Sequence, residues 1–348
     1  MPTKAVGRHK DPKSPMFTYT LRRLAFSIPV LLAISLVIFL LIDLAPNDPT
    51  ANLPLTIPPE IREQLRTGLG LDAPIHVRYL LWCKQFFIHE PLNFLDWMTG
   101  NEGDRLRLQS WSTHTPVVDL IADRLPQTLW VVGLSLVIGI VIALPLGILS
   151  ARNQYRWVDQ LGTFVAMLGF SVPSFFLGVL MIIVFSVKLG WFPSIYDTTH
   201  RVTDWHSFGS QLRQMVMPVT VLALFNAAQF SRYLRASMLE ALHQDFIRTA
   251  RAKGMTEARV LLGHALRNAI GPVVTIISLV IPQVFAGAIV TEQVFRVNGL
   301  GHLLISGIQN GDVPLVQTLT FLFAVLIVVF NLLADIAYGV LDPRIRYD

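Results

Sequence analysis

"LAFSIPVLLAISLVIFLLIDL", residues 24–44, is a run of 21 residues whose single charge, Asp43, stands next to its end. At 1.5 Å of rise per residue, about 20 such residues in α-helix cross the ~30 Å hydrocarbon core of a bilayer. A secretory signal peptide has an apolar stretch of only about 7–15 residues and a small-residue cleavage site after it. This run is longer and no convincing site follows, so it reads as an uncleaved first span. Five further runs of the same kind lie at 130–150, 164–188, 215–230, 270–291 and 317–341. The fourth is the shortest, and its pattern continues as helix through "SRYLRASMLEAL" into the aqueous phase. Composition agrees: 53% of the 348 residues are hydrophobic, 15% are charged, and mean hydropathy is +0.53. A soluble domain carries about 25% charged residues. The fold class is therefore an all-α polytopic membrane protein with six transmembrane helices. The net charge of +5 is read by location, and no nucleic-acid partner is expected. The single cysteine, Cys83, excludes an internal disulfide.

Orientation follows from the basic residues. With the N-terminus inside, segments 1–23, 151–163, 231–269 and 342–348 hold 17 Lys and Arg, against 10 in the longer outer segments 45–129, 189–214 and 293–316. Cytoplasmic loops carry the Lys/Arg excess, so both the basic tail 1–23 and the tail 342–348 are expected in the cytoplasm. Residues 130–341 then form the transmembrane core, with a cytoplasmic loop at 231–269. The outer segment 45–129 is too long for a simple connector. It opens with the extended "APNDPTANLPLTIPPE", and "PPEIREQLRTGLGL" reads as a short helix with Pro59 in its first turn and Gly68 and Gly70 at its end. "HVRYLLWCKQFF" is an amphipathic piece whose Tyr79, Trp82 and Phe86 suit the membrane surface. Together they make a small extracytoplasmic cap, with too thin a core to fold alone.

Much chemistry is missing. No G-x-x-x-x-G-K-[ST] loop occurs, and "GLGHLL" from Gly299 reads as a turn. H-E-x-x-H is absent, and the nine histidines neither fall at metal-ligand spacing nor lie inside a span. "GFSVPS", residues 169–174, matches the loose G-x-S-x of intramembrane serine proteases, but Ser171 would need a base at its own depth. The spans supply no histidine, and their one lysine, Lys188, stands at an interface. A Pro173 kink with serines satisfying freed backbone groups is the simpler reading. Asp43 and Asp335 lie near span ends, and no charge is placed mid-membrane, which argues against an ion-coupled carrier acting alone. The neutral polar residues Ser171, Asn226, Gln229, Gln283 and Asn331 remain; such groups bond across helices or line a path.

Between the fourth and fifth runs lies "DFIRTARAKGMTEARVLLGHALRN", residues 245–268. Phe246 and Ala250 stand four apart, as do Leu261–Ala265 and Leu262–Leu266, each an apolar stripe on a helix. Arg248, Arg251, Arg259 and Arg267 fall between the stripes. Gly254 separates the two helices and Thr256 is placed to cap the second. A topology signal needs the arginines but not this helical spacing.

The wider stretch "QDFIRTARAKGMTEARVLLGHALRNAIGPVVT", residues 244–275, resembles the cytoplasmic loop of the permeases of ATP-binding-cassette (ABC) importers, in particular the dipeptide/oligopeptide/nickel group. "LRRLAFSIPVLLAISLVIFLLIDLAPNDP", "LGLDAPIHVRYLLW", "IADRLPQTLW", "VTEQVFRVNGLGHLLISGIQNGDVPLVQ" and "LDPRIRYD" are similar to the same group, so the resemblance covers nearly the whole chain. The long first outer loop resembles the "B" member of a dipeptide permease pair. Some positions depart. With Gly254 at the glycine of E-A-A-x-x-x-G, residues Arg248, Thr249 and Ala250 stand at E-A-A, and His264, Leu266 and Arg267 at the I, L and P that follow. Asn47 stands where the group has glycine, and residues 89–112 include extra length.

The resemblance implies a type I importer permease of the cytoplasmic (inner) membrane. It would pair with a homologous second permease, dock two ABC ATPase subunits and receive solute from an extracytoplasmic binding protein. ATP and magnesium would be used by the ATPases, with no cofactor on this chain. It further implies that Phe246, Ile247 and Ala250 fill a groove on an ATPase, that Arg248, Arg251 and Lys253 pair with groups at the groove's edge, and that Gly254 permits the sharp exit. Ser171, Asn226, Gln229 and Gln283 are the candidates for the solute path.

Overall fold

The computed structural model describes residues 14–44, 72–100, 106–198, 200 and 202–341, with isolated positions between 58 and 67. The tail up to residue 13, the proline-rich lead-in at 45–57, most of the short helix expected at 58–71 and the tail 342–348 lie outside the described residues.

Among the described residues the regular structure is helical, joined by loops such as 106–116 and 189–198, and the β pairing is an isolated bridge between Gln109 and Pro116. The helices are α1 (Ser14–Leu44), α2 (Ile75–Lys84), α3 (Glu90–Thr99), α4 (Val117–Arg152), α5 (Trp157–Ser171), α6 (Ser174–Met181), α7 (Trp205–Leu242), α8 (Asp245–Ala252), α9 (Leu266–Phe295), α10 (Leu300–Gln309) and α11 (Val313–Leu341). Wider π-helical turns join α2 to α3 (Gln85–His89), extend α6 (Ile182–Lys188) and lead into α9 (Val260–Ala265).

Among the described residues, four helical stretches are long and apolar enough to cross a membrane: Thr20–Leu44, Val117–Arg152, Glu257–Pro282 and Val313–Leu333. Two expected spans depart from a plain apolar helix. The run 164–188 is divided, with α5 ending at Ser171 and α6 starting after Pro173. Proline has no N–H to continue the ladder, and it disfavours helix at the residue before it, so the kink expected there is a break. The run 215–230 lies within the 38 residues of α7, which does continue past Phe230 to Leu242. Helix α7 is the most polar of the long helices because it stands inside the bundle. It packs on α4, α5, α6 and α9 and buries Gln211, Gln214, Asn226 and Ser231.

The α4–α7 seam is built on small residues. Ser135, Gly139, Ala143, Gly147 and Ala151 recur every fourth position of α4, and all are buried. A Cβ at Gly139 would lie 2.9 Å from the Asn226 Cβ, and one at Gly147 2.9 Å from the Leu234 side chain. Lipid tails are as apolar as leucine, so helices associate in a bilayer by close contact and not by escape from water. The stripe allows that contact.

The two ends of the bundle have separate cores. At one end Val117 packs with Leu300, Leu303, Leu315 and Leu319. At the other, Ala151 packs with Leu234, Met238, Ile247, Ala250, Val260 and Leu261. Helix α11 starts at the first end and returns beside α9, with Phe285 and Phe330 ring centroids 5.6 Å apart. Asp335 then meets Arg23 of α1 at 2.5 Å. The start of α1, the end of α11 and the α8 segment therefore share one end of the molecule.

Helix α2 and the π-helical turn after it pack on α1 and α11 through aromatic rings: Trp82 is buried with Phe39 and Phe321, and its ring meets that of Phe321 edge-on at 5.9 Å. Tyr79 bonds Ser35 at 2.9 Å, and Arg78 pairs with Asp43. The membrane-surface role expected for Tyr79, Trp82 and Phe86 is thus corrected. These rings find protein partners of matching shape, and the exposed apolar side of the segment is Leu80, Leu81, Phe94 and Leu95.

Candidate functional site

The α8 segment has the geometry of a plate fastened to the bundle. In "DFIRTARA", Ile247 and Ala250 stand three apart on one helix face, and both are buried, Ile247 completely. They pack on Leu234, Met238 and Ala241 of α7 and on Val260, Leu261 and Ala265 of the turn before α9. The expectation that Phe246, Ile247 and Ala250 form one partner-facing stripe is corrected accordingly. Residues 246 and 247 are about 100° apart on a helix, so the stripe divides: Ile247 and Ala250 point in, and Phe246 points out at 39% exposure. Arg248, Arg251 and Lys253 are exposed with it.

Gly254 ends the helix in the left-handed region, at φ +74°. The N–H of Met255 donates to Ala250 O at 3.3 Å and that of Gly254 to Arg251 O at 2.9 Å. This pair of bonds satisfies the last carbonyls of α8, and a residue without a Cβ adopts the required backbone freely. Met255 folds back onto the same apolar cluster. Across the turn Arg251 forks onto Glu257, at 2.9 and 3.3 Å, while Arg248 approaches Asp245 at 3.5 Å in solvent. Thr256 takes the N-cap position as expected, without a capping bond from its side chain. The Leu261–Ala265 stripe is buried, but Leu262 is 57% exposed. The π-helical turn at Val260–Ala265 adds a residue to that turn, and Leu262 is turned outward while Leu266 still packs on the core.

Close by, in the connector 151–163, Asp159 ties α5 to α7. Its carboxylate accepts from Arg235 Nε at 2.6 Å, Arg235 Nη2 at 2.7 Å and the Tyr155 N–H at 2.9 Å. The Arg235 guanidinium holds the Asp159 carboxyl below its ordinary pKa despite its burial, and Asp159 raises that of Arg235 in return. A cavity of about 270 Å³ lies between α4, α5 and α7, lined by Arg235 of this pair and by Ser150, Thr163, Gln229 and Ser171.

The four candidates for the solute path are not one cluster. Ser171 and Gln229 line this cavity. Asn226 is buried in the α4–α7 seam against Gly139, and its Nδ2 has no hydrogen-bond partner. The Gln283 side chain lies outside the described residues. As a nucleophile Ser171 lacks a base, since the ionisable side chains lining its cavity are Arg232 and Arg235, and arginine does not deprotonate in proteins.

At the opposite end the structure holds a carboxylate that sequence reasoning passed over. Glu292, on the last turn of α9, is fully buried. It accepts from Thr128 Oγ1 at 2.7 Å, the Gly301 N–H at 2.7 Å and the His302 N–H at 3.1 Å. The first N–H groups of a helix attract an anion, and a Cβ at Gly299 would collide with this carboxylate. The turn expected at "GLGHLL" is therefore a carboxylate cradle joining α4, α9 and α10. Asp312 acts alike on the loop at residues 110–112: it accepts from the Trp111 N–H at 3.1 Å and the Ser112 hydroxyl at 2.7 Å, and bonds the Ser110 hydroxyl. An acid seven residues before a glycine pair, at a helix start, was the available signal.

Comparison with known proteins adds the context. The family model described as "Binding-protein-dependent transport system inner membrane component" matches residues 143–347, and that of the N-terminal region of the same membrane component matches residues 16–132. The chain is 39% identical over 336 residues to the oligopeptide transport system permease protein AppB of Bacillus subtilis (strain 168), covering 95% of this chain and 100% of that one. It is 35% identical over 336 residues to the glutathione transport system permease protein GsiC of Salmonella paratyphi A, at 95% and 100% coverage. Among solved structures, a chain of the MetNI methionine ABC transporter in an inward-facing conformation has a similar fold, with a TM-score of 0.52 at 19% identity over 65% of this chain and 97% of that one.

Proposed function

The chain belongs to the family of binding-protein-dependent transport system inner membrane components, the permease subunits of ABC importers; from that premise we propose that it is one half of a peptide permease, closed by a homologous second subunit. It is a multi-pass protein of the inner membrane with the type I permease fold. It supplies the passage, and a separate binding protein and separate ATPases supply capture and energy. ATP and magnesium act on two ATPase subunits, and this chain binds neither. Peptides as cargo are supported by relatives named for oligopeptide and glutathione transport. Both termini and α8 face the cytoplasm in this reading, in accord with the basic residues of segments 1–23 and 231–269.

The observation that carries the coupling role is the division of α8 into two faces. Ile247 and Ala250 anchor the helix to α7 and to the turn before α9. Phe246, Arg248, Arg251 and Lys253 are left as the surface on which an ATPase seats, with Gly254 setting the exit. A push on that surface reaches α7 and α9 through packed side chains, so ATPase closure moves the bundle as a rigid body. Exposed aromatic and arginine side chains are the residue types that dominate interface energy.

The test is ATP-driven peptide uptake in vesicles holding all subunits. Phe246→Asp is expected to abolish uptake while the subunit still reaches the membrane at the normal level. Unimpaired uptake by that variant would overturn the coupling role.

A further inference from the structure

The end of the bundle opposite α8 gathers basic side chains around the Glu292 cradle. Arg124 stands four residues before Thr128 on α4, so the two share a helix face, and Thr128 bonds Glu292. Arg296 closes α9 in the left-handed region, at φ +57°, with its N–H on Glu292 O. His302 lies in the first turn of α10 and donates its N–H to the Glu292 carboxylate. Arg124 and His302 are half-buried, and Arg296 is exposed. Burial first, and then the charges of Arg124 and Arg296, hold the His302 imidazole below its ordinary pKa. Both arginines therefore stand within electrostatic reach of one ring. Among the described residues neither guanidinium has a hydrogen bond or ion pair; Asp123, next to Arg124, is exposed and acts on it through space. Asp119, a turn earlier on α4, is taken by Arg107.

The same edge carries an apolar shoulder. The connector before α7 is pinned there by Tyr196, whose N–H donates to Phe295 O at 3.1 Å and whose hydroxyl donates to Gln127 Oε1 at 2.6 Å. Tyr196 is buried, while Ile195 just before it is 64% exposed. Ile195 and Arg296 thus flank the Tyr196–Phe295 bond, and both reach solvent. Bonds from Tyr196, Thr128 and Glu292 fix this edge in advance, which lowers the cost of ordering it on binding. Lys and Arg are scarce on the outer side of a membrane protein, and Arg296 is the one such residue of 293–316, so a topology signal does not account for the cluster. Small solutes are held in concave sites, whereas Arg296 and Ile195 stand on a turn and a connector. Unpaired arginines beside an exposed aliphatic side chain suit a protein surface that bears carboxylates.

We propose that this edge is the docking surface for the extracytoplasmic binding protein, with Arg124, Arg296 and His302 receiving acidic side chains of that protein and Ile195 an apolar one. This rests on the reading above, in which a separate binding protein delivers the solute, and adds to it the place and the chemistry of the contact.

The test uses the complete transporter in proteoliposomes, with labelled trialanine as cargo and the system's own binding protein titrated at about 0.05 M and about 0.5 M salt. Arg296→Glu and Arg124→Gln are each expected to raise the half-saturating binding-protein concentration about tenfold at low salt, the equivalent of ~1.4 kcal/mol. Uptake at saturating binding protein should stay near the parent rate, and the shift should shrink at high salt. Arg296→Lys should keep most of the parent affinity, and Ile195→Ala should give a smaller rise that salt does not remove. An unchanged half-saturating concentration in Arg296→Glu and Arg124→Gln, or a fall in maximal uptake alone, would overturn the docking surface while leaving the permease standing. A shift that follows the anionic phospholipid content of the vesicles would overturn it too and assign the arginines to lipid headgroups. Wild-type uptake that needs no binding protein would remove the binding-protein reading itself, and the surface with it.

Discussion

Ile247 and Phe246 are sequence neighbours with opposite duties. The first is wholly buried in its own bundle, and the second is 39% exposed. Ile247→Ala leaves a cavity under α8 and is expected to cost about 3 kcal/mol, read as a lower melting temperature of the purified permease pair. Phe246→Ala removes a ring that solvent already reaches, so its melting temperature should stay near the parent value. Equal losses for the two variants would contradict the division of faces. Gly254 follows a different logic. A Cβ there meets no atom within 4 Å, so only its φ of +74° resists substitution. Its role is to turn the chain, not to make room for a neighbour.

At the scale of elements, two joints decide how α4, α5 and α7 move together. The α4–α7 seam depends on glycines at close approach, whereas Gly133 on the same helix has no neighbouring atom within 4 Å of a built Cβ. Gly147→Val is therefore expected to destabilise by about 2 kcal/mol through overpacking, and Gly133→Val to melt close to wild type. The second joint is the Asp159–Arg235 pair. Because Arg235 depresses the Asp159 pKa, the pair's contribution is complete above the unfolded carboxyl's ordinary value and is lost as pH falls through the depressed folded value. Asp159→Asn is expected to lower stability at neutral pH by about 2 kcal/mol, the range of hydrogen bonds to charged groups. That deficit should shrink as melting is repeated at acid pH below the ordinary carboxyl range. A deficit independent of pH would show that the carboxylate's charge is not what joins the helices.

The whole molecule is arranged by its two ends. Buried carboxylates organise one end, Glu292 cradled by α10 and Asp312 by the loop at residues 110–112. The other end carries α8 and the Arg23–Asp335 pair. With Cys83 replaced by serine, Lys253→Cys and Asn310→Cys report the two ends to a membrane-impermeant thiol reagent. Lys253→Cys should react only from the cytoplasmic face and Asn310→Cys only from the outer one. Labelling of both from one face would break the end assignment and, with it, the docking of ATPases at α8.

Hydropathy exposed the membrane class and the apolar runs, because crossing a bilayer demands apolar length whatever the neighbours are, and the Lys and Arg count marked the basic end. The turn at Gly254 was legible for a similar reason: helix stripes on both sides and a glycine between them leave one local solution. Which side of each helix meets protein was not legible, since a lipid-facing leucine and a buried one read alike. The opposed faces of residues 246 and 247, the outward-turned Leu262 in the π-helical turn and the inward rings of Trp82 and Phe86 all fell to that ambiguity. Glu292 was passed over because its partners, Thr128 and the N–H groups of Gly301 and His302, come together only when three helices meet. Composition along the chain determined that this protein lies in a membrane and where its basic end is. Only tertiary packing decided which faces touch and which polar groups share a cavity, because contact between protein and protein leaves no hydropathy mark that contact with lipid does not also leave.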